Sequence, residues 1–581
     1  MVGPVFRFPA DAFDLPCVDV ALVVESTYPF LTGGVSAVVH DIIAHNSDLT
    51  FGIIHISWDS ATIGQDIYGM PNNVAWVDII YLSLNEFRDE FLSLVSKGKT
   101  DAEEATSRLV SAVQAFWADN DGPLWELYDD AINPLTRSWQ LWPVLSSTSF
   151  LDRIAQFLPN GDGTSLGQLF WTMRDFFTLA YALTDRVQPP ARVYHSHTQG
   201  YAAIVAACGA RQYDAKFLLT EHNLHIRDTL NSLFGRRQDL TITRTSWCDL
   251  PRTTVERVWL LWWTSISLWA YLATDHMTYL YPGAVREAQA LGADGTKTEI
   301  LPNGVEWEKF APVRQARKAT VSGLSAGSHQ HWNLVAISRV VPIKGIFEMI
   351  ETIAVIRDRG YNNVSLDILG PLDHDEEYTE KARDRVAQCG LESVVRLRGT
   401  QNIPQELHKY DVLLMSSFNE GQPIVVLEAM SAGLPIIGTE VGGMAMTVTQ
   451  PLQVSDGSAI GACGRLVEPG DVSALADALT ELIDSPALYC LFHNNGFERV
   501  QAAFLMETAM GRYNSVYREL GAGTVQPQVE RRLCMRDRQP DPVPTGVLQR
   551  RGDPIEVYPG RKRSLLGGGY FKSRRPVHKR E

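Results

Sequence analysis

Two glutamates eight residues apart, Glu420 and Glu428, carry the strongest chemical signal in this chain. They lie within Asp411 to Gly443, DVLLMSSFNEGQPIVVLEAMSAGLPIIGTEVGG. Asp411–Ser417 is a short apolar run with the character of a buried parallel strand. The loop Phe418–Gln422 follows with Glu420, Gly421 and Gln422, and Pro423 suits the first turn of a helix, where its missing N–H costs nothing. The helix runs to Ala432, Gly433 suits its C-terminal cap, and Leu434–Gly438 returns as a strand. Glu420 thus stands at the carboxyl end of a strand, where open α/β sheets bind ligands. Glu428 lies one to two turns into the helix. Gly421 and the first helical amides can receive an anion. A carboxylate beside a phosphate would repel it, so both glutamates should face neutral hydroxyls, which suggests a sugar and a ribose with a diphosphate between them. On spacing alone, an ordinary βαβ unit with two solvated glutamates fits equally well.

Other stretches supply what such a ligand needs. VDVALVV (18–24) reads as a strand, and Phe30-Leu-Thr-Gly-Gly-Val-Ser opens into a periodic helix over Val35–Ala44, so Gly33 and Gly34 form a candidate diphosphate loop. Leu334–Ser338 reads as a strand followed by Arg339 and Lys344. A departing nucleotide diphosphate develops negative charge that fixed cations stabilise; the alternative is two surface cations. His197, in RVYHSH, and His222, after the strand Phe217–Thr220, both stand at strand carboxyl ends. His197 is either a satisfied core histidine or an acceptor-side residue.

Glu420-x7-Glu428 followed by Ala-Met-Ser-Ala-Gly-Leu-Pro resembles the signature of family-4 retaining glycosyltransferases of the GT-B fold. TYPFLTGGVSAVVHDII is similar to the start of the PelF-type glycosyltransferases, cytoplasmic enzymes of Pel exopolysaccharide synthesis. The resemblance covers roughly residues 18–520. It implies two Rossmann-like, doubly wound α/β domains facing a cleft, with a helical insertion in the first. The implied reaction moves a sugar from a UDP-sugar onto a growing polysaccharide, with retention and without a metal. UDP-sugar is then the co-substrate, no further cofactor is expected, and inner-membrane synthase subunits are the implied partners. Carried over, Glu420 contacts the donor sugar, Glu428 the ribose, Arg339 and Lys344 the diphosphate, and His222 the region of the reaction centre. Asn303 and Gly304, in the junction turn LPNGV, approach the donor with Gly33, Gly34, Gly421, Gln422 and Pro423. Three positions depart from the pattern: Asn223 and Ser338 stand where glycine is usual, and Gly345 where aspartate is. The alternatives are a non-catalytic or regulatory nucleotide-sugar-binding subunit and a GT-B nucleotide-sugar epimerase. A glycoside hydrolase also needs two carboxylates, but not the cations and the diphosphate loop.

The elements that must position these residues are a set of strands alternating with helices. A chain of 581 residues predicts two or more domains. We expect a first, acceptor-side Rossmann-like domain over 1–311 with a helical, aromatic-rich insertion at about 85–190. A Ser/Gly/Ala-rich linker over 312–332 should follow, then a nucleotide-sugar-binding domain over 333–505, a crossover helix at 506–520 and a basic, disordered tail over 521–581. The apolar run Val258–Thr274 is short for a bilayer span and reads as a buried or interface helix, with a membrane- or partner-facing role as the alternative.

Seven scattered cysteines without a CxxC argue against a disulfide framework or a zinc site. With no basic-then-apolar leader pattern, the expectation is a cytoplasmic protein, peripheral at the inner membrane through its tail or a partner. The net charge of −15 divides unevenly: from Gly521 onward 14 Lys/Arg face 6 Asp/Glu, giving +8, and the rest carries −23. An acidic body excludes nucleic acid as its partner.

Overall fold

The computed structural model describes residues 5–7, 15–62, 65–97, 101–156, 164–226, 229, 254–325, 331–454 and 457–522. Two parallel sheets organise them. The first contains β1 (Val5–Arg7), β2 (Val18–Glu25), β3 (Phe51–Ser57), β4 (Val74–Tyr81), β5 (Ala191–Ser196), β6 (Lys216–Glu221), β7 (His276–Tyr279) and β8 (Thr298–Ile300), in the order β1-β4-β3-β2-β5-β6-β7-β8. All its pairings are parallel. The second contains β9 (Trp332–Ile337), β10 (Val364–Leu369), β11 (Val395–Gly399), β12 (Val412–Met415), β13 (Ile436–Thr439) and, beyond a small hairpin of β14 (Leu452–Gln453) and β15 (Ala459–Ile460), β16 (Gly464–Val467). Its order is β11-β10-β9-β12-β13-β16. Both sheets reverse winding next to their first long strand, between β2 and β5 and between β9 and β12. Ligands of doubly wound sheets bind outside the strand ends at such reversals.

Central strands buried on both faces need near-continuous apolar runs, and these have them: Val20 to Val24, Ile53–Ile54 and Leu334 to Ala336 are buried. One face of the first sheet is covered by the helices Gly34–His45 and Met506–Gly521, the other by Tyr201–Tyr213 and Thr254–Ala273. The Thr254–Ala273 helix holds the apolar run at 258–274. Its Leu260, Trp263, Ile266, Ala270 and Tyr271 are buried in that core, and no described helix is long and apolar enough to cross a membrane.

Between β4 and β5 run the helices Leu84–Lys97, Ala102–Trp117, Gly122–Ala131, Thr148–Ala155 and Leu166–Thr184, around a separate core of Phe91, Leu127, Trp142, Phe150 and Tyr181. Their starts are encoded locally. Asp101 accepts from the amides of Glu103 and Glu104, and Ser165 and Gln168 form a reciprocal capping box.

Two expectations change. Residues 312–325 of the stretch expected as linker belong to the helix Ala311–Ser325. It docks through the apolar Val313 and through two arginines. Arg317, 1% exposed, donates to the Tyr489 hydroxyl at 2.6 Å, and Arg314 stacks on Trp307 and donates to its carbonyl at 2.8 Å. A helix held by guanidinium groups carries little apolar periodicity, so it reads as linker. Pro423 precedes the helix Ile424–Ala432 as its extended N-cap instead of occupying the first turn. At the other end, Gly433 takes the left-handed C-cap at φ 79°. The basic tail beyond residue 522 lies outside the described residues.

Candidate active site

The strand ends of the two sheets meet. From β12, the loop at 418–423 reaches the first domain so closely that a Cβ on Gly421 would stand 1.7 Å from the His222 carbonyl oxygen. Only glycine allows that approach. The same loop is held from behind: Gly443 N donates to the Gly421 carbonyl at 2.6 Å. Asn303 binds Gln422 twice, through its amide N to Oε1 at 2.7 Å and through Nδ2 to the carbonyl at 3.0 Å, and Gln422 Nε2 donates to Thr447 at 3.2 Å. Asn303 and Gln422 therefore tie the two domains together. A Cβ on Gly304 would fall 2.6 Å from Met506 Cα, where Val305 and Leu505 bridge the chain crossing, so backbone packing requires a glycine here.

One of the cations, Lys344, and the first carboxylate converge. Lys344 follows β9, Glu420 follows β12, and these strands are neighbours at the winding reversal. Lys344 Nζ donates to Glu420 Oε1 at 2.5 Å, with side chains only 17% and 11% exposed. Residues read separately as phosphate clamp and sugar ligand thus form one ion pair. Gly345 turns the chain there at φ 65°, and a Cβ would meet the Ser416 carbonyl oxygen at 2.1 Å. An aspartate at 345 would have no room in this packing. Arg339, partly exposed, makes no side-chain hydrogen bond or ion pair among the described residues, so its charge is available.

Glu428 is partly exposed, and burial pushes its carboxyl up to about 7 while Lys309 pulls it down. Neither Lys309 nor that neighbourhood was singled out from sequence. Lys309 belongs to a short turn, Trp307–Phe310, that only the fold brings near Glu428. Gly33 and Gly34 lie exposed at the start of the Gly34–His45 helix, with open space around both. Glu25 ends β2, and its Oε2 accepts from the Tyr201 amide at 3.2 Å; burial pushes this carboxyl up to about 7 as well. Its position after a strand was the only sequence signal for it.

His197 and His222 are partners. His197 Nδ1 lies 2.9 Å from His222 Nε2, with the rings inclined by 14°. His197 is 3% exposed and so is buried beside His222. Burial drives the His222 pKa down to about 4, and His197 well below the usual histidine range. His195 fixes the layer beneath, with Nδ1 2.7 Å from the Tyr517 hydroxyl and Nε2 2.7 Å from Thr220 Oγ1. Tyr517 comes from the Met506–Gly521 helix, so that helix supports the histidines. No group of three or more His, Cys, Asp or Glu among the described residues is arranged to hold a metal ion.

Comparison with known proteins follows this division. Residues 18–296 match a family described as "Domain of unknown function (DUF3492)", and residues 332–485 match "Glycosyl transferases group 1". D-inositol 3-phosphate glycosyltransferase of Pseudarthrobacter chlorophenolicus is 28% identical over 200 residues, 34% of this chain and 44% of that protein. The capsular polysaccharide biosynthesis glycosyltransferase CapM of Staphylococcus aureus is 26% identical over 215 residues, 37% and 52% of the two chains. The chain spans about half the length of these relatives. Among solved structures, Anabaena HepE in complex with UDP and glucose superposes with a TM-score of 0.51 at 14% identity, covering 87% of this chain and 100% of that one. The chain has a GT-B fold of two Rossmann-like domains, and its residues 332–485 match the glycosyl transferases group 1 family.

Proposed function

We propose that this protein is a retaining glycosyltransferase of PelF type that moves a sugar from a UDP-sugar onto a growing exopolysaccharide. The observation that carries the reading is the meeting of Lys344 and Glu420 at the β9/β12 reversal, with Arg339 following β9 and unpaired among the described residues. A diphosphate is bound by the two cations. The sugar is held through hydroxyls by Glu420 and lies beside His222. The ribose is held by Glu428. HepE, solved with UDP and glucose, supports a uridine donor, and CapM, named for capsular polysaccharide biosynthesis, supports a polysaccharide product. Inner-membrane synthase subunits are the proposed partners.

The reaction is a front-face displacement. The acceptor hydroxyl oxygen forms its bond to the anomeric carbon as the bond from that carbon to the diphosphate oxygen breaks. The hydroxyl proton passes to a phosphate oxygen, and UDP leaves with the electron pair. Arg339 and Lys344 stabilise the charge that develops on UDP, which is worth most where it exists only in the transition state. Contact between the 418–423 loop and His222 closes the cleft around the sugar and keeps water from the anomeric carbon.

A panel of UDP- and GDP-sugars, scored for binding and nucleotide release with and without a polysaccharide acceptor, tests the reading. It expects acceptor-dependent UDP release from one UDP-sugar. Interconversion of the donor without acceptor would indicate an epimerase, and binding without any turnover a non-catalytic subunit. Either result would overturn the proposal.

A further inference from the structure

Two neutral imidazoles joined by one hydrogen bond share a single proton between the facing nitrogens, and the structure decides which ring owns it. His197 Nδ1 and His222 Nε2 are the facing atoms, 2.9 Å apart. The other nitrogen of His197, Nε2, is buried and has no hydrogen-bond partner among the described residues. If His222 donated through Nε2, the proton of His197 would sit on that orphaned Nε2, leaving a buried N–H without an acceptor. If His197 donates through Nδ1, the orphan is only a lone pair. Buried N–H groups are left unpaired more rarely than acceptors, because the lost hydrogen bond is not recovered elsewhere. Desolvation keeps both rings neutral, since it lowers the pKa of each.

We propose that His197 is a positioning residue that fixes His222 as the Nδ1–H tautomer, so that the second nitrogen of His222 donates a hydrogen bond to a hydroxyl of the transferred sugar. The tautomer follows from the His197–His222 geometry alone; the sugar as recipient rests on the proposed function. His222 Nδ1 has no partner among the described residues, His222 is partly exposed, and its backbone carbonyl packs against Gly421 of the Glu420 loop. Behind it the assembly is anchored. The His195 ring centroid lies 4.1 Å from that of His197, and His195 is itself bonded on both sides, to Tyr517 and Thr220. A neutral imidazole that chooses its donor nitrogen through a second residue is a general way of setting hydrogen-bond direction.

The tautomer is read directly by 15N NMR of the full chain labelled at histidine, with a His222→Gln spectrum identifying the His222 signals. In the wild type, His222 Nδ1 should give the protonated-type signal and Nε2 the unprotonated type. His197→Ala should convert this into a tautomer mixture and lower kcat about tenfold, with UDP affinity unchanged. His197→Asn, whose amide places a donor near the former Nδ1, should restore both. A wild-type His222 protonated on Nε2, or a tautomer unmoved in His197→Ala, would overturn the inference; the wild-type spectrum decides even if His197→Ala fails to fold. An Nδ1–H tautomer in a chain that turns over no nucleotide sugar would uphold the positioning by His197 and refute the sugar as recipient.

Discussion

Replacing Glu420 by Gln separates the two tasks that the Lys344–Glu420 pair combines. The pair is in contact at 2.5 Å and is mostly shielded, with side chains 17% and 11% exposed. At an effective dielectric near 20, charges about 4 Å apart attract by about 4 kcal/mol. Desolvation of both ions offsets much of this, leaving roughly 1–2 kcal/mol of net pairing. In Glu420→Gln that hold on Lys344 disappears, and so does a negative charge beside the diphosphate. UDP should therefore bind roughly three- to tenfold more tightly, about 1 kcal/mol. Turnover should nonetheless fall on the order of 10²-fold, because the ligand that orients the transferred sugar is weakened. Calorimetry with UDP and steady-state nucleotide release measure the two quantities. Lys344→Ala is the control, with both UDP affinity and turnover reduced. If Glu420→Gln lost UDP affinity as Lys344→Ala does, Glu420 would be serving the nucleotide and the assignment would fail.

Glu428→Gln should weaken UDP and the UDP-sugar by similar factors of about tenfold, since both carry the ribose, and unequal losses in calorimetry would refute a ribose contact. The deficit should be larger at pH 8 than at pH 6, because the carboxyl pushed up to about 7 is ionised only at the higher pH. His55, 3% exposed and bonded to the Tyr28 carbonyl at 3.0 Å, has its pKa lowered to about 4 by burial. The native state then binds fewer protons than the unfolded chain between about pH 6.5 and 4, so stability is lost as pH falls through that window, by up to about 3 kcal/mol for this residue. His55→Gln should flatten the fall of melting temperature between pH 7 and pH 4.5; an unchanged slope would exclude His55 as a source. Arg499, fully buried, donates to the carbonyls of Met446, Thr447, Gln450, Ile460 and Gly461. Arg499→Met should cost more than about 3 kcal/mol, and Arg499→Lys should not restore it because an ammonium cannot span five acceptors; a chemical melt within 1 kcal/mol of wild type would contradict this.

Much of the frame was legible because parallel strands buried on both faces must be short apolar runs, and loops at their carboxyl ends must carry the ligands. This reasoning reached Arg339, Lys344, Glu420 and both histidines. Their partners were not legible. Lys344 and Glu420 are 76 residues apart and meet only because β9 pairs with β12. His197 and His222 meet because β5 pairs with β6, which sequence spacing does not announce. The Ala311–Ser325 helix was missed because arginines bonded to a carbonyl and a tyrosine hydroxyl do much of the anchoring that apolar periodicity would reveal. The backbone crossing at Gly304 was not legible either, because a glycine required by a close backbone approach looks the same in sequence as one required by a ligand.

A crystal structure of the chain with UDP bound tests the central claim most directly. The diphosphate should lie within hydrogen-bond reach of Arg339 and Lys344, with the ribose hydroxyls on Glu428 and the β-phosphate directed toward Glu420 and His222. A nucleotide bound elsewhere in the chain, or reversed so that its ribose meets Glu420, would contradict the account.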